Sequence, residues 1–109
     1  MTKVVLNKLV RDKIPHIIKK DGVTPTVHIA NDKEFKIKLI EKLGEEVREF
    51  QESYSPNELV DILEVVLALA KLNGISPTEL EKMRIDKAHK RGGYKKKVIL
   101  ESTTKDETK

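Results

Sequence analysis

The sequence predicts an all-α protein with a small two-stranded β element, and three observations support this prediction. Residues 31–93 carry helical signals with clear start and stop residues. Three positions, Asn31, Ser55 and Ser76, each pair a capping side chain with an acid three residues later, which is typical of a helix N-terminus. Residues 24–30 alternate and are β-branched, as in a short edge strand, and residues 94–100 are the candidate partner strand.

The capping residues and the stop residues predict the bounds of the helices. A short N-terminal helix is predicted to begin at Pro15 and to end near Gly22. Asn73-Gly74 and Gly92-Gly93 supply the stops of the second and third long helices. The three main helices are predicted at residues 32–53, 56–73 and 77–91.

Length and composition predict one globular domain. The 109 residues are 38% hydrophobic and 37% charged, which suits a single domain over residues 1–101, with 102–109 as a disordered tail that has no apolar residue. No cysteine is present, which excludes thiolate nucleophiles, disulfides and cysteine-bound zinc. No apolar run approaches a membrane span or a secretory signal, so we expect a cytoplasmic protein without membrane partners.

The net charge of +4 is unevenly distributed. Residues 45–64 contain seven acids and one base, Arg48, so that this stretch carries −6 and the remainder +10. An acidic centre repels phosphates unless a cation fills it, which makes a nucleic-acid partner unlikely despite the basic flanks.

Two acids of the first long helix lie beside its predicted core. Glu46 falls at the edge of the apolar stripe and Glu49 lies about 60° further round, whereas Glu45 and Glu52 look solvated. The alternative is a solvated flank that pairs with lysines. The core stripe is predicted from residues at helical spacing: Leu39, Leu43, Val47, Phe50 and Tyr54.

The second long helix is apolar on all sides. Eleven of the fourteen residues from Leu59 to Leu72 are apolar, and such a helix is normally buried. A carboxylate taken from water without a partner costs several kcal/mol. Asp61 and Glu64 therefore indicate a divalent cation held between facing helices, and oxygen ligands favour Mg²⁺, with Mn²⁺ as an alternative. Glu58 is equally well explained as the third residue of a capping box, and Glu64 as a side chain that reaches solvent.

The third helix carries a basic strip. Arg84, Lys87 and Arg91 lie within about 60° on one face, which is either a solvated surface or a phosphate-binding wall beside the acidic centre. Arg11 and Lys13 could add to this wall, as could Lys8 and residues 95–97.

The acids and their flanks resemble a known family. Residues 46–49 and 58–61 are similar to the Glu-x-x-Glu and Glu-x-x-Asp signature of all-alpha, MazG-like nucleoside triphosphate pyrophosphohydrolases. Residues 7–15, 59–66 and 91–94, together with Lys87, look like a compact, house-cleaning subgroup described as phosphoribosyl-ATP pyrophosphohydrolase-like. The resemblance extends from Asn7 to Leu100.

This resemblance implies a MazG-like helical bundle that cleaves a nucleoside triphosphate, canonical or not, to the monophosphate and pyrophosphate. By the same resemblance, Mg²⁺ is held by Glu46, Glu49, Glu58 and Asp61, and basic residues of the third helix hold phosphate oxygens. Glu46 and Glu49 are the first candidates for the general base. Eight residues separate Glu49 from Glu58, fewer than is typical of the wider family, which leaves Glu64 as a possible substitute ligand.

The sequence also predicts an oligomer, and two alternative functions remain open. The all-apolar second helix predicts at least a homodimer, because two further helices and a hairpin cannot cover every side of it. One alternative activity is phosphoribosyl-ATP hydrolysis in histidine synthesis. The other alternative is a non-catalytic nucleic-acid-binding or regulatory module that uses the basic flanks.

Overall fold

The computed structural model describes residues 2–105, and within them the chain is all-α with four helices. No helix in this range combines the length and hydropathy that crossing a bilayer requires. Each helix begins and ends within about two residues of its predicted bounds. These helices are α1 (Ile14–Lys20), α2 (Asp32–Ser53), α3 (Pro56–Leu72) and α4 (Pro77–Arg91).

The predicted β element is wrong. Residues 24–30 and 94–100 contain no strand in the described part of the chain. Lys97 has a left-handed backbone (φ 58°) and donates its N–H to the carbonyl of Tyr94 at 3.2 Å, so a turn interrupts the second segment. Two short strands that pair only with each other are marginally stable unless a helix covers them. No such cover is present in the described chain at Ile29 and Tyr94, since both residues are almost fully exposed.

The chain divides into two compact units, Met1–Pro77 and Thr78–Lys109. The first unit contains α1, α2 and α3, and the second contains all but the first residue of α4. Residues 102–105 are exposed and have no regular secondary structure, while the rest of the predicted tail, 106–109, lies outside the described residues. The single-domain extent and the bundle formed by the three main helices stay predictions.

Helices α2 and α3 pack against each other as a helical hairpin. The Asn31 side chain accepts the Glu34 N–H at 2.9 Å and caps α2. Tyr54 ends α2 in a left-handed conformation (φ 54°), and its N–H is donated to the Phe50 carbonyl at 2.7 Å. The Ser55 hydroxyl then accepts the Asn57 N–H at 3.3 Å and starts α3. Because only two residues join the helices, α3 folds back antiparallel along α2.

The core of the described chain is small. Leu39 of α2 and Val65 and Ala70 of α3 are the buried apolar residues in the range 2–105. Tyr54, predicted to lie in the core, is exposed, and its ring instead contacts the Phe50 ring at a centroid distance of 5.4 Å. The residue departs from the core stripe because the left-handed turn at Tyr54 takes it off the helix.

Helix α3 is not buried on all sides within a single chain, and its coverage by a second copy stays a prediction. Leu59, Val60 and Leu63 are between 50% and 61% exposed. Val65 and Ala70 are buried, while α2 is the helix that packs on α3. The helix therefore presents an apolar face to solvent, which we call the α3 face and define by Leu59, Val60 and Leu63.

Candidate metal centre

Three carboxylates converge between α2 and α3. One side-chain oxygen each of Glu46, Glu58 and Asp61 lies within 4.8 Å of the others. Glu46 lies two turns before the end of α2, and Glu58 and Asp61 lie in the first two turns of α3, so the antiparallel hairpin brings them level. A spacing of three residues then places Glu58 and Asp61 on one side of α3.

A second group of carboxylates shares Glu46. Glu45, Glu46 and Glu49, all on α2, also offer oxygens within 4.8 Å of one another. The sequence interpretation of Glu45 as solvated missed this: its side chain is 28% exposed and belongs to the cluster. The signal was available, because Glu45 and Glu49 are four residues apart and share a helix face.

Two oxygens at this site are buried without hydrogen-bond donors. Glu46 is 6% exposed, and its Oε2 has no hydrogen-bond partner within residues 2–105. Glu58 Oε2 is in the same condition. A buried acceptor left unsatisfied costs about 1–3 kcal/mol, so these positions destabilise the hairpin unless a ligand is bound there.

The environment of Glu46 favours its neutral form. Burial raises the pKa of Glu46 above its usual value, and the hydrogen bond and negative charge of Glu49 raise it further. Lys42 opposes this shift from 3.4 Å. The site therefore holds a carboxylate that gains from any added positive charge.

Glu58 does not form the capping box that was one of its two interpretations. The Ser55 N–H, which a capping-box glutamate accepts, is donated instead to the Ser53 hydroxyl at 3.2 Å. The Glu58 carboxylate is thus available to the group it forms with Glu46 and Asp61.

Basic side chains neutralise part of the cluster. Arg11 Nη2 donates to Asp61 Oδ1 at 2.7 Å, Lys42 lies 3.4 Å from Glu46, and Lys8 lies 3.5 Å from Glu45. The two groups contain five carboxylates, and three basic side chains pair with them, which leaves a formal charge of −2 when all are ionised. Lys42 was missed from the sequence, although it precedes Glu46 by four residues, the spacing of a helical ion pair.

Within residues 2–105, Glu64 is not grouped with the other predicted ligands, and the basic residues of α4 are exposed or paired on their own helix. Glu64 is exposed and belongs to neither group in the described chain. Arg84 pairs with Glu81 on its own helix, with its Nε 3.0 Å from Glu81 Oε2, and this contact lowers the pKa of Glu81 and raises that of Arg84. Lys87 and Arg91 are exposed, as is Lys13 in the first unit, and their phosphate-binding roles stay predictions.

The chemistry of the donor set fits a hard divalent cation. All five candidate ligands are carboxylates, and Mg²⁺, Mn²⁺ and Ca²⁺ prefer oxygen ligands of this kind. Two of the oxygens are already desolvated and lack competing donors in the described structure. The clusters could therefore hold a metal ion.

Comparison with models of protein families, with curated proteins and with solved structures finds no significant match. The chain is thus a small helical protein whose α2–α3 hairpin carries acidic clusters, and no family is identified.

Proposed function

We propose that this protein is a Mg²⁺-dependent nucleotide pyrophosphohydrolase that cleaves a nucleoside triphosphate to the monophosphate and pyrophosphate. The observation that carries the proposal is the convergence of Glu46, Glu58 and Asp61, two of which, Glu46 and Glu58, each have a buried oxygen that lacks a donor in residues 2–105. The similarity of residues 46–49, 58–61 and 7–15 to MazG-like enzymes supports the choice of substrate.

Each acid has a distinct part in the proposed mechanism. Glu46, Glu58 and Asp61 would hold the cation from two helices. Mg²⁺ held there would neutralise phosphate charge and make water a better nucleophile. Glu49, at the exposed rim of the cluster, accepts the proton of a water that attacks phosphorus in line with the departing pyrophosphate. Because Glu46 is buried between the helices and Glu49 is exposed, Glu46 is better placed to hold the cation and Glu49 to contact the attacking water.

Basic side chains complete the proposed phosphate site. Phosphoryl transfer depends mainly on positioning and on stabilisation of charge, so basic side chains that bind phosphate oxygens would contribute directly. Arg11 already lies at the cluster through its contact with Asp61. Lys13, Arg84, Lys87 and Arg91 are proposed to bind further phosphate oxygens, with Arg84 requiring release from Glu81.

We propose a homodimer formed through the α3 face. Leu59, Val60 and Leu63 are adjacent on one helix and largely exposed, and contiguous apolar surface of this kind marks an interaction site. A second copy that buries the α3 face of its partner satisfies both surfaces by two-fold symmetry.

Pyrophosphate release is the direct test of the activity. We expect product from at least one member of a panel of canonical and damaged nucleoside triphosphates and phosphoribosyl-ATP, with Mg²⁺ or Mn²⁺, and none after chelation. Asp61→Asn should lower the rate about 100-fold or more with an unchanged circular dichroism spectrum. Glu52→Gln, the same kind of change at an exposed residue of α2, is the matched control.

Each outcome of this assay has a clear interpretation. A response confined to phosphoribosyl-ATP assigns the histidine-synthesis activity instead of a house-cleaning one. No pyrophosphate from any substrate, while an established pyrophosphohydrolase is active in the same assay, refutes the enzyme. Nucleic-acid binding that weakens steeply with salt, survives chelation and is unaffected by Asp61→Asn would assign the non-catalytic module.

A further inference from the structure

The segment formed by residues 7–11, which we call the N-terminal strap, crosses the α2–α3 hairpin beside the acidic cluster. Its attachment to α2 is made by Lys38 Nζ, which donates to the Asn7 carbonyl at 2.8 Å, and by Lys8, which lies 3.5 Å from Glu45. Its attachment to α3 is the 2.7 Å contact from Arg11 Nη2 to Asp61 Oδ1. The strap therefore places two of its cations on carboxylates of the two candidate metal groups.

The contact between Arg11 and Asp61 is short but weakly held. It uses a single guanidinium nitrogen, so it lacks the paired geometry that makes arginine–carboxylate contacts strong. The two side chains are 52% and 37% exposed, and ion pairs in such positions contribute little to stability. A competitor of higher charge at the same carboxylate would displace the guanidinium.

The interior of the cluster attracts such a competitor. Glu46 has a side chain only 8% exposed, belongs to the group that also contains Asp61, and has a buried Oε2 without a donor in the described chain. A divalent cation bound there takes up the charge of Asp61 and repels the guanidinium beside it. Arg11 and the cation are thus alternative partners of one carboxylate.

We propose that a divalent cation and Arg11 compete for Asp61, so that metal binding releases the Arg11 end of the N-terminal strap and frees the guanidinium for a phosphate group. This inference rests on the metal site of the proposed function and adds an order to it: metal first, then the anion. Once released, Arg11 presents a planar set of N–H donors that matches phosphate oxygens, next to the cation that holds the same phosphate chain. Without metal, the strap keeps a basic side chain on the acidic cluster and withholds it from phosphate.

Competition makes a reciprocal prediction about metal affinity. In calorimetric titration with Mg²⁺ alone, Arg11→Gln should bind about three- to tenfold more tightly than the wild type, because the competing cation is gone. Lys19→Gln removes one positive charge from an exposed residue of α1 in the same unit, and should change the affinity by less than about twofold because of screening. Affinity that is unchanged or weaker in Arg11→Gln overturns the competition.

Release of the strap can be observed directly, because the chain has no cysteine and a single labelling site can be introduced. Asp12→Cys places a nitroxide spin label at an exposed residue next to Arg11, at the end of the strap that is released. Saturating Mg²⁺ should increase the mobility of the label in the wild-type background and cause little further change with Arg11→Gln, where the Asp61 contact is already lost. Thermal unfolding with and without Mg²⁺ verifies that each labelled variant folds.

The outcomes separate this inference from the proposed function. Mg²⁺ binding with an unchanged spin-label spectrum overturns the release while leaving the metal site intact. Folded wild-type protein that binds no Mg²⁺ removes the metal site, and with it both proposals. Tighter Mg²⁺ binding by Arg11→Gln together with a metal-induced gain in mobility supports the competition.

Discussion

Glu46 offers the sharpest test of the metal centre, because it is the buried member of both acidic groups. Replacement by glutamine keeps the shape of the side chain and removes its charge. We expect Glu46→Gln to stabilise the metal-free protein and to remove most of the stabilisation by Mg²⁺. An ordinary structural glutamate with satisfied contacts would show neither effect in this direction.

The magnitude follows from the distances around Glu46. Each carboxylate at 4.8 Å repels it by about 0.9 kcal/mol in a water-like dielectric, and four other acids are grouped with it at that distance or less. Lys42 at 3.4 Å attracts it by about 1.2 kcal/mol on the same scale. Lys8 and Arg11 offset part of the repulsion, and screening reduces the rest, which leaves a net gain of about 1–2 kcal/mol for glutamine. The glutamine amide can also donate a hydrogen bond to a neighbouring carboxylate.

Thermal unfolding in a metal chelator, followed by addition of Mg²⁺, measures both effects. A gain of 1–2 kcal/mol corresponds to a rise in Tm of about 4–16 °C for a chain of this size. At a free Mg²⁺ concentration ten times Kd, binding stabilises the wild type by about 1.4 kcal/mol, a rise of about 6–10 °C. Glu46→Gln should respond to Mg²⁺ by less than a third of this amount.

Another glutamate of α2 provides the control for this experiment, and one combination of Tm changes would refute the prediction. Glu52→Gln, at an exposed residue of the same helix, should leave the metal-free Tm and the Mg²⁺ response unchanged. If Glu46→Gln instead lowers the metal-free Tm and keeps the full response to Mg²⁺, then Glu46 is a satisfied partner of Lys42 and the reasoning about its buried oxygen is refuted.

Three further predictions concern pH, assembly and phosphate binding. Urea unfolding should show no difference in the free energy of unfolding between Glu46→Gln and the wild type below pH 4.5, the ordinary pKa of glutamate. The variant should become the more stable protein as pH rises through the folded-state pKa, because the raised pKa favours the protonated native form and this contribution is lost when Glu46 ionises. Leu63→Glu should convert a dimer to a monomer in sedimentation velocity, whereas Lys71→Glu, at an exposed basic residue of the same helix, should not; a wild-type monomer at micromolar concentration contradicts the dimer. Lys87→Gln should raise KM for the nucleotide several-fold without altering Mg²⁺ affinity by calorimetry, and an unchanged KM would remove Lys87 from the phosphate site.

The helix boundaries could be predicted because their causes are local. A side chain such as Asn31 satisfies backbone N–H groups three residues away, and Pro56 fixes the backbone where a helix starts. The turn at Tyr54 was not predicted, because nothing in a tyrosine indicates a left-handed backbone, and its side chain was placed on the core stripe. The strand prediction failed because strand formation depends on partners and cover, which lie elsewhere in the chain.

The site was predictable to the extent that helical spacing determines it. Glu46, Glu49, Glu58 and Asp61 were singled out because residues three apart share a face, and the structure places all four in acidic groups. The contact of Arg11 with Asp61 spans fifty residues of sequence, and no periodic pattern relates positions so far apart. The burial of Glu46 likewise depends on how α3 packs on α2, which the sequence of either helix alone does not determine.

The charge of the acidic cluster can be compensated in three ways, and these are coupled. A proton on Glu46, the guanidinium of Arg11 and a divalent cation each supply positive charge to a site with a formal charge of −2, so binding of one weakens binding of the others. Mg²⁺ affinity should therefore fall as pH drops towards the pKa of Glu46, and in Arg11→Gln, where a positive charge that disfavours the proton is gone, the fall should begin at a higher pH. If the cluster only stabilised the fold, its carboxylates would be expected to form buried ion pairs with every oxygen hydrogen-bonded. The weak, exposed contact of Arg11 and the two oxygens that lack donors within residues 2–105 instead favour a site whose charge is completed by an exchangeable cation.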